Sequence, residues 1–291
     1  MSPAAPARYC GRLFTAEEME LIARLIAGPQ KPNRAQLSRL VCDELRWFRP
    51  DGRRKDMTCR VAMLRMHRDG LITLPGPIKG NSNGRISPKS TAACDPREQL
   101  TLPAGDFGEL QFRIVKTRQD SAAWNELIHR YHYLGYKPLP GAQLRYLVLG
   151  GGHLLAALGF GACAWAVAPR DKFIGWTASQ RKERLRLVIN NARFLVLPWV
   201  KSPNLASRIL GAVAKRVAVD WLERYKYAPV LLETFVEKER FRGTCYRAAN
   251  WTLVGSTQGR GKLDRQNKRP FPVKDIFLYP LAKDFRRQLC A

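Results

Sequence analysis

"RFLVLPWVKSPNLASRILG", residues 193–211, changes its hydrophobic period halfway along. The apolar run through Val200 is short and bounded by a polar break, which reads as a buried strand. The break, "KSPN" at 201–204, holds a proline and cannot continue either element. Beyond it "NLASRILGAVAKRVAVDWLERY" spaces its apolar residues as one long amphipathic helix. A strand that delivers the chain through a tight turn to a helix makes this half of the protein an α/β arrangement, and the neighbouring segments extend it.

Upstream, "ELQFRIVK" reads as a strand and "SAAWNELIHRYHYL" as a helix ending near Gly135. Residues 146–168, "YLVLGGGHLLAALGFGACAWAVA", carry no formal charge and are long enough to cross a bilayer. The glycines at 150–152 are a turn signal in their middle, so the stretch reads as two strands of a water-soluble hairpin. "ASQRKERLRLVI" is a basic helix leading into the strand first quoted. Downstream come "PVLLETFV" as a strand, "GTCYRAAN" as a short helix and "WTLVGS" as a final strand. The order β-α-β-β, helix, β-α-β-α-β, antiparallel at its start and alternating afterwards, predicts a mixed sheet flanked by helices.

The first 75 residues have another character. Thr15 with Glu18, and Asn33 with Gln36, have capping-box spacing ahead of "MELIARLIA" and "LSRLVCDEL". Gly28-Pro29 stops the first helix, Asp56 caps a third through about Asp69, and "LITLP" after Gly70 reads as a strand. Three helices and a β element outline a winged helix. On the third helix, at about 100° per residue, Cys59, Ala62, Met63 and Met66 share a core face, with Arg60, Arg65 and Arg68 on the other side. Arg53, Arg54 and Lys55 precede it, so the helix is a candidate for a DNA major groove and the loop for phosphates. Residues 76–106 are rich in Gly, Pro, Ser and Asn and lack a sustained period. The expected organisation is α+β: a winged-helix domain at 1–78, a linker at 79–106, the mixed-sheet domain at 107–258 and a basic arm at 259–291.

Charge points the same way. With 50 Lys and Arg against 24 Asp and Glu, the 291 residues carry +26, a field that attracts polyanions. DNA is the expected partner. A 45% hydrophobic content excludes a disordered polycation. The seven cysteines show no CxxC pair and no metal spacing with histidine, so neither a disulfide scaffold nor a zinc site is expected. Their scatter and the absence of a signal-peptide pattern point to a reducing cytoplasm, with no membrane partner. "GRGK" at 259–262 is no Walker loop; Arg260, Lys262, Arg265, Lys268 and Arg269 read as a phosphate-binding arm.

Two clusters are candidates for chemistry. Glu233 and Glu237, on a strand and the loop after it, could hold Mg²⁺ for phosphodiester cleavage, though no third acid stands at a suggestive spacing; Asp171 is equally unspecific. "HRYHYLGYKPLPG", 129–141, places His129, His132 and Tyr133 at a helix end, where they could stack on an extruded base or close a polar-edged core.

The order of elements is similar to that of the GNAT acetyltransferases. That resemblance implies an acetyl-CoA pyrophosphate cradle of free backbone N–H groups at the turn after the fourth strand, here "KSPNLA". Lys201, Asn204, Leu205 and Ala206 are the corresponding positions. Asn204 stands in place of the pattern's central glycine, and Pro203 removes an amide hydrogen. It also implies that Tyr246, in "YRAANW", is the general acid to a leaving thiolate; its other role is to secure a buried helix through its hydroxyl.

Longer phrases cover nearly the whole chain: "LSRLVCDELRWFRPDGRRKDMTCRVAMLRMHRDGLITLP", "RYHYLGYKPLPGAQLRYLV", "NNARFLVLPWV" and "LLETFVEKERFRGTCYRAANWTLVGSTQGRGK". They resemble the DruA family of Druantia anti-phage defence systems. The resemblance implies a defence role in a bacterial cytoplasm beside a helicase-like partner, with a mobile-element role as the alternative. It supplies no catalytic residues. Three activities are therefore carried forward: DNA binding in defence, GNAT-type acyl transfer to a nucleobase or other acceptor, and metal-dependent nuclease action on DNA.

Overall fold

A computed structural model describes residues 6–28, 31–78, 87–259 and 271–291. The chain divides into two compact units, residues 1–83 and 84–291.

In the first unit a hairpin of β1 (Ala7–Tyr9) and β2 (Arg12–Phe14) precedes α1 (Ala16–Ala27), α2 (Arg34–Glu44) and α3 (Asp56–Arg68). Both capping boxes form: Thr15 Oγ1 accepts from the Glu18 amide at 3.2 Å and Asn33 Oδ1 from the Gln36 amide at 3.0 Å. The expected face of α3 is the buried one, for Cys59, Ala62, Met63 and Met66 pack with Leu37, Val41, Ile22 and Phe14. "LITLP" takes no strand. Ile72 and Leu74 point into that core, and the Pro75 carbonyl accepts from Arg34 Nε at 2.6 Å, so its polar group is satisfied by a side chain instead of a neighbouring strand.

The second unit is built on a mixed sheet in the order β3-β4-β5-β6-β7-β9-β8. Its strands are β3 (Gln111–Ile114), β4 (Gln143–Gly150), β5 (His153–Ala162), β6 (Val188–Val196), β7 (Leu231–Glu237), β8 (Thr252–Ser256) and β9 (Lys274–Pro280). Only β6 and β7 run parallel; every other pair is antiparallel. The uncharged stretch at 146–168 supplies the β4–β5 hairpin, turned by Gly151 and Gly152 at φ 56° and 77°. Helices α4 (Arg118–Tyr131), α5 (Ala168–Ile174), α6 (Ala178–Arg184), α7 (Leu205–Ala214), α8 (Val217–Tyr225), α9 (Thr244–Ala248) and α10 (Phe285–Cys290) flank it. The architecture is α+β, a seven-stranded mixed sheet flanked by helices.

Two differences from the sequence reading matter for the site. The single helix expected from Asn204 is two, broken where Arg216 (φ −120°) turns its guanidinium onto Asp220 at 2.8 Å and over the rings of Phe112 and Tyr146. "WTLVGS" is not the last strand. Residues 274–280, inside the expected basic arm, form β9, which inserts between β7 and β8 with Ile276, Phe277 and Leu278 fully buried.

Residues 87–106, within the expected linker, lie along the second unit. Glu126 accepts from the Thr91 amide at 2.7 Å, Tyr131 Oη donates to the Cys94 carbonyl at 2.8 Å, and Leu100 bridges to Val200 in parallel.

Candidate functional site

β6 and β7 pair only from Val188 to Asn190 and from Leu231 to Glu233; beyond that the strands part. The gap is a cavity of about 410 Å³, lined by Asn191 and Phe194 of β6, Thr234 and Phe235 of β7, and Tyr246 of α9, with His132 and Tyr133 from the end of α4. Parallel strands that diverge leave an opening without interrupting the rest of the sheet, and α9 closes one side of it.

Tyr246 is buried. Its phenol donates to Asn191 Oδ1 at 2.9 Å, and Thr234 Oγ1, which donates to the Asn191 carbonyl at 3.0 Å, lies 3.4 Å away. The ring stacks on Phe277 and meets Trp251 edge-on. Burial pushes the phenol above its ordinary range, so it stays protonated and acts as a donor. Neither Asn191 nor Thr234 stands out in the sequence reading; the polar pair "NN" at the third and fourth positions of β6 was the available signal.

His132 lies at the same cavity. Its Nδ1 accepts from the Leu134 amide at 3.2 Å, which places the proton of the neutral ring on Nε2. Burial, and then the Arg193 guanidinium, lower its pKa to about 4. Tyr133 stacks on His132 at 4.9 Å, packs on Phe241, and has Arg240 over its ring. Thus Tyr246, His132 and Tyr133 are brought together, while His129 is exposed at hydrogen-bond distance, 3.0 Å, from Ser87 Oγ and does not line the cavity.

The turn at 201–206 departs in part from the free-amide cradle that the resemblance implies. The Lys201 amide donates to the Leu100 carbonyl at 2.8 Å, the Leu205 amide turns back to Ser202 at 3.3 Å, and Pro203 has none. Asn204 takes the left-handed conformation, φ 63°, which asparagine tolerates best after glycine. The backbone therefore follows a glycine-like path, with an exposed side chain added to it. Leu205 is wholly buried, and none of Lys201, Asn204, Leu205 and Ala206 lines the cavity.

Glu233 faces away from any nuclease role. It is fully buried, one oxygen accepting from the Ala164 amide and the other from Arg170, both at 2.8 Å. Arg170, equally buried, also bridges to Asp171, which Trp176 and Arg181 bind in turn. Glu237 pairs with Arg240 at 2.9 Å. Among the described residues no group of three or more His, Cys, Asp or Glu side chains could hold a metal ion, so the expectation of Mg²⁺ finds no support. Every carboxylate oxygen of Glu233 already has a structural partner.

In the helical unit, Arg54 pairs with Asp43 and Arg60 with Asp56. Arg53, Arg65 and Arg68 are exposed and Lys55 half-buried, and among the described residues none of the four has a carboxylate within 4.0 Å. Arg260, Lys262, Arg265, Lys268 and Arg269 lie outside the described residues. No described helix is long and apolar enough to cross a membrane.

A sequence model of the family described as Druantia protein DruA matches residues 66–269. No curated protein matches the chain. Among solved structures, the chain is similar to an N-acyl amino acid synthase from uncultured soil microbes, at 13% identity over 62% of this chain and 94% of that one, with a TM-score of 0.38. It is similar to the aminoglycoside acetyltransferase AAC(6')-Ib in complex with coenzyme A, at 13% identity over 62% and 96%, TM-score 0.38. A GNAT-family acetyltransferase from Streptococcus pneumoniae is 12% identical over 60% of this chain and all of its own, again with a TM-score of 0.38.

Proposed function

The chain belongs to the DruA family, and from that premise we propose that it is a DNA-binding protein of a bacterial anti-phage defence system. In this reading the helical unit is the DNA-binding domain, α3 enters the major groove, and the loop before it holds phosphates. One observation carries the proposal: Arg53, Lys55, Arg65 and Arg68 stand without carboxylate partners among the described residues, in a chain of net charge +26. Cations left unpaired on one helix and its leading loop are held apart from internal ion pairs and remain free for phosphate. The sheet unit then serves a second DNA segment or a helicase-like partner in the cytoplasm. A mobile-element role would use the same DNA contacts. The test is duplex binding by fluorescence anisotropy across a salt series: a steep fall in affinity supports the proposal, and an affinity indifferent to salt removes it.

A second reading, acyl transfer, is favoured by one feature, the protonated Tyr246 phenol beside a cavity of about 410 Å³. Calorimetry with acetyl-CoA decides it, since no heat on titration eliminates that donor.

A further inference from the structure

We propose that the hairpin at residues 47–55 forms, with α2 and α3, a site for a nucleotide whose base is unpaired: a phosphate together with the exposed base of a DNA strand end or single-stranded stretch. The inference rests on the DNA-binding reading above and adds a second mode of contact to it.

The hairpin is well fixed. Buried Trp47 anchors it, its amide donating to Cys42 at 2.8 Å and its carbonyl accepting from Lys55 at 3.0 Å. The Arg49 amide donates to the Arg53 carbonyl at 2.7 Å, and the Gly52 amide closes a turn onto Arg49 at 3.0 Å. Gly52 has φ 76°, a value that suits glycine, and Asp51 Oδ1 secures the exit by accepting from the Arg53 amide at 3.1 Å. Phe48 and Arg54 face each other across an antiparallel bridge, so their side chains share a face.

Between this hairpin and the helices lies a cavity of about 530 Å³, lined by Arg39 of α2, Asp56 of α3, and Phe48, Arg49, Arg53 and Arg54. Its charge is decided by the internal pairs. Arg54 is engaged by Asp43 at 2.6 Å and Asp56 by Arg60 at 2.8 Å, whereas Arg39, Arg49 and Arg53 have no carboxylate within 4.0 Å among the described residues. Three unpaired guanidinium groups converging on one hollow call for an anion with several acceptor oxygens, which a phosphodiester supplies.

Phe48 narrows the class. Phe48 is 38% exposed among those arginines. The phosphates of an intact duplex would bring it nothing apolar, because the base faces are stacked on one another. An unpaired base offers a flat face that an aromatic ring can cover, while the neighbouring phosphate meets the arginines.

The experiment compares a fluorescein-labelled blunt duplex with the same duplex carrying a single-stranded overhang, using the full chain. Phe48→Ala should weaken binding of the overhang roughly tenfold and leave the blunt duplex nearly unchanged, and Phe48→Tyr should restore it. Blunt-duplex affinity also reports that the variant is folded. Arg39→Ala with Arg49→Ala should lower overhang affinity and its salt dependence more than those of the blunt duplex. Equal effects on both probes, or none, overturn the inference while leaving the DNA-binding reading intact. Failure of the unmodified protein to bind either probe removes that reading and this inference with it. If polyglutamate displaces the overhang as well as an oligonucleotide of equal charge does, the site takes acidic chains in general and the nucleotide assignment is wrong.

Discussion

Tyr246 donates its phenolic hydrogen to Asn191 Oδ1 at 2.9 Å across the gap where β6 and β7 part. Asn191 is held in turn, its Nδ2 donating to the Arg193 carbonyl at 3.1 Å. The bond therefore latches α9 onto the sheet where the pairing of β6 with β7 has stopped. Tyr246→Phe keeps the ring packing and removes the donor. It should cost about 1–2 kcal/mol in urea unfolding, while protection in a phage-challenge assay persists. Loss of protection with stability unchanged would instead assign Tyr246 to chemistry.

Glu233 and Arg170 form an ion pair with neither side chain exposed. Glu233→Ala removes one of the two carboxylates that hold the buried Arg170, leaving Asp171 and the Ala164 carbonyl, and should destabilise the second unit by about 3 kcal/mol. The same account expects no Mg²⁺-dependent nicking from the unmodified protein. Nicking that Glu233→Gln abolishes in a fully folded variant would reverse it.

Much of this was legible in the sequence, and what was not has identifiable causes. Capping boxes, the Gly151-Gly152 turn and the apolar face of α3 are local signals, and each formed as expected. β9 was hidden because "VKDIFLYP" follows a strongly basic stretch and is framed by prolines, so charge outweighed its short apolar run. The break at Arg216 has no glycine or proline to announce it; its Asp220 partner is local, and its approach to Phe112 and Tyr146 is tertiary. The same limit applied to the cavity. Tyr246, His132 and Tyr133 could be named singly, but their convergence depends on how far β6 and β7 stay paired, and Asn191 and Thr234 acquire meaning only there.

His132 makes acid stability sensitive to one side chain. Its folded pKa is about 4, against 6.5 for the free group. The unfolded chain therefore takes up a proton that the fold refuses, and stability is lost as pH falls from about 6.5 towards 4, levelling off below. For a half-buried ring the loss is on the order of 2 kcal/mol. Urea midpoints followed over that range should fall less steeply in His132→Gln; an unchanged slope would mean that the ring is charged in the fold.

Gly243 lets α9 approach the sheet. It has φ 68°, and a Cβ there would stand 2.6 Å from the Phe277 ring. Gly243→Ala should cost about 2–3 kcal/mol by strain and overpacking, and the displaced α9 should loosen the Tyr246 latch, seen as faster amide exchange in residues 244–248.

DNA binding by α3 and its leading loop is proposed to run through unpaired cations. The most direct measurement is duplex affinity across a salt series for the unmodified protein and for Arg65→Ala with Arg68→Ala. These side chains are exposed, so the fold should be unaffected. The account predicts a linear fall of log affinity with log salt, and a slope shallower by about one for each arginine that contacts a phosphate. An identical slope and affinity in the double variant would contradict it.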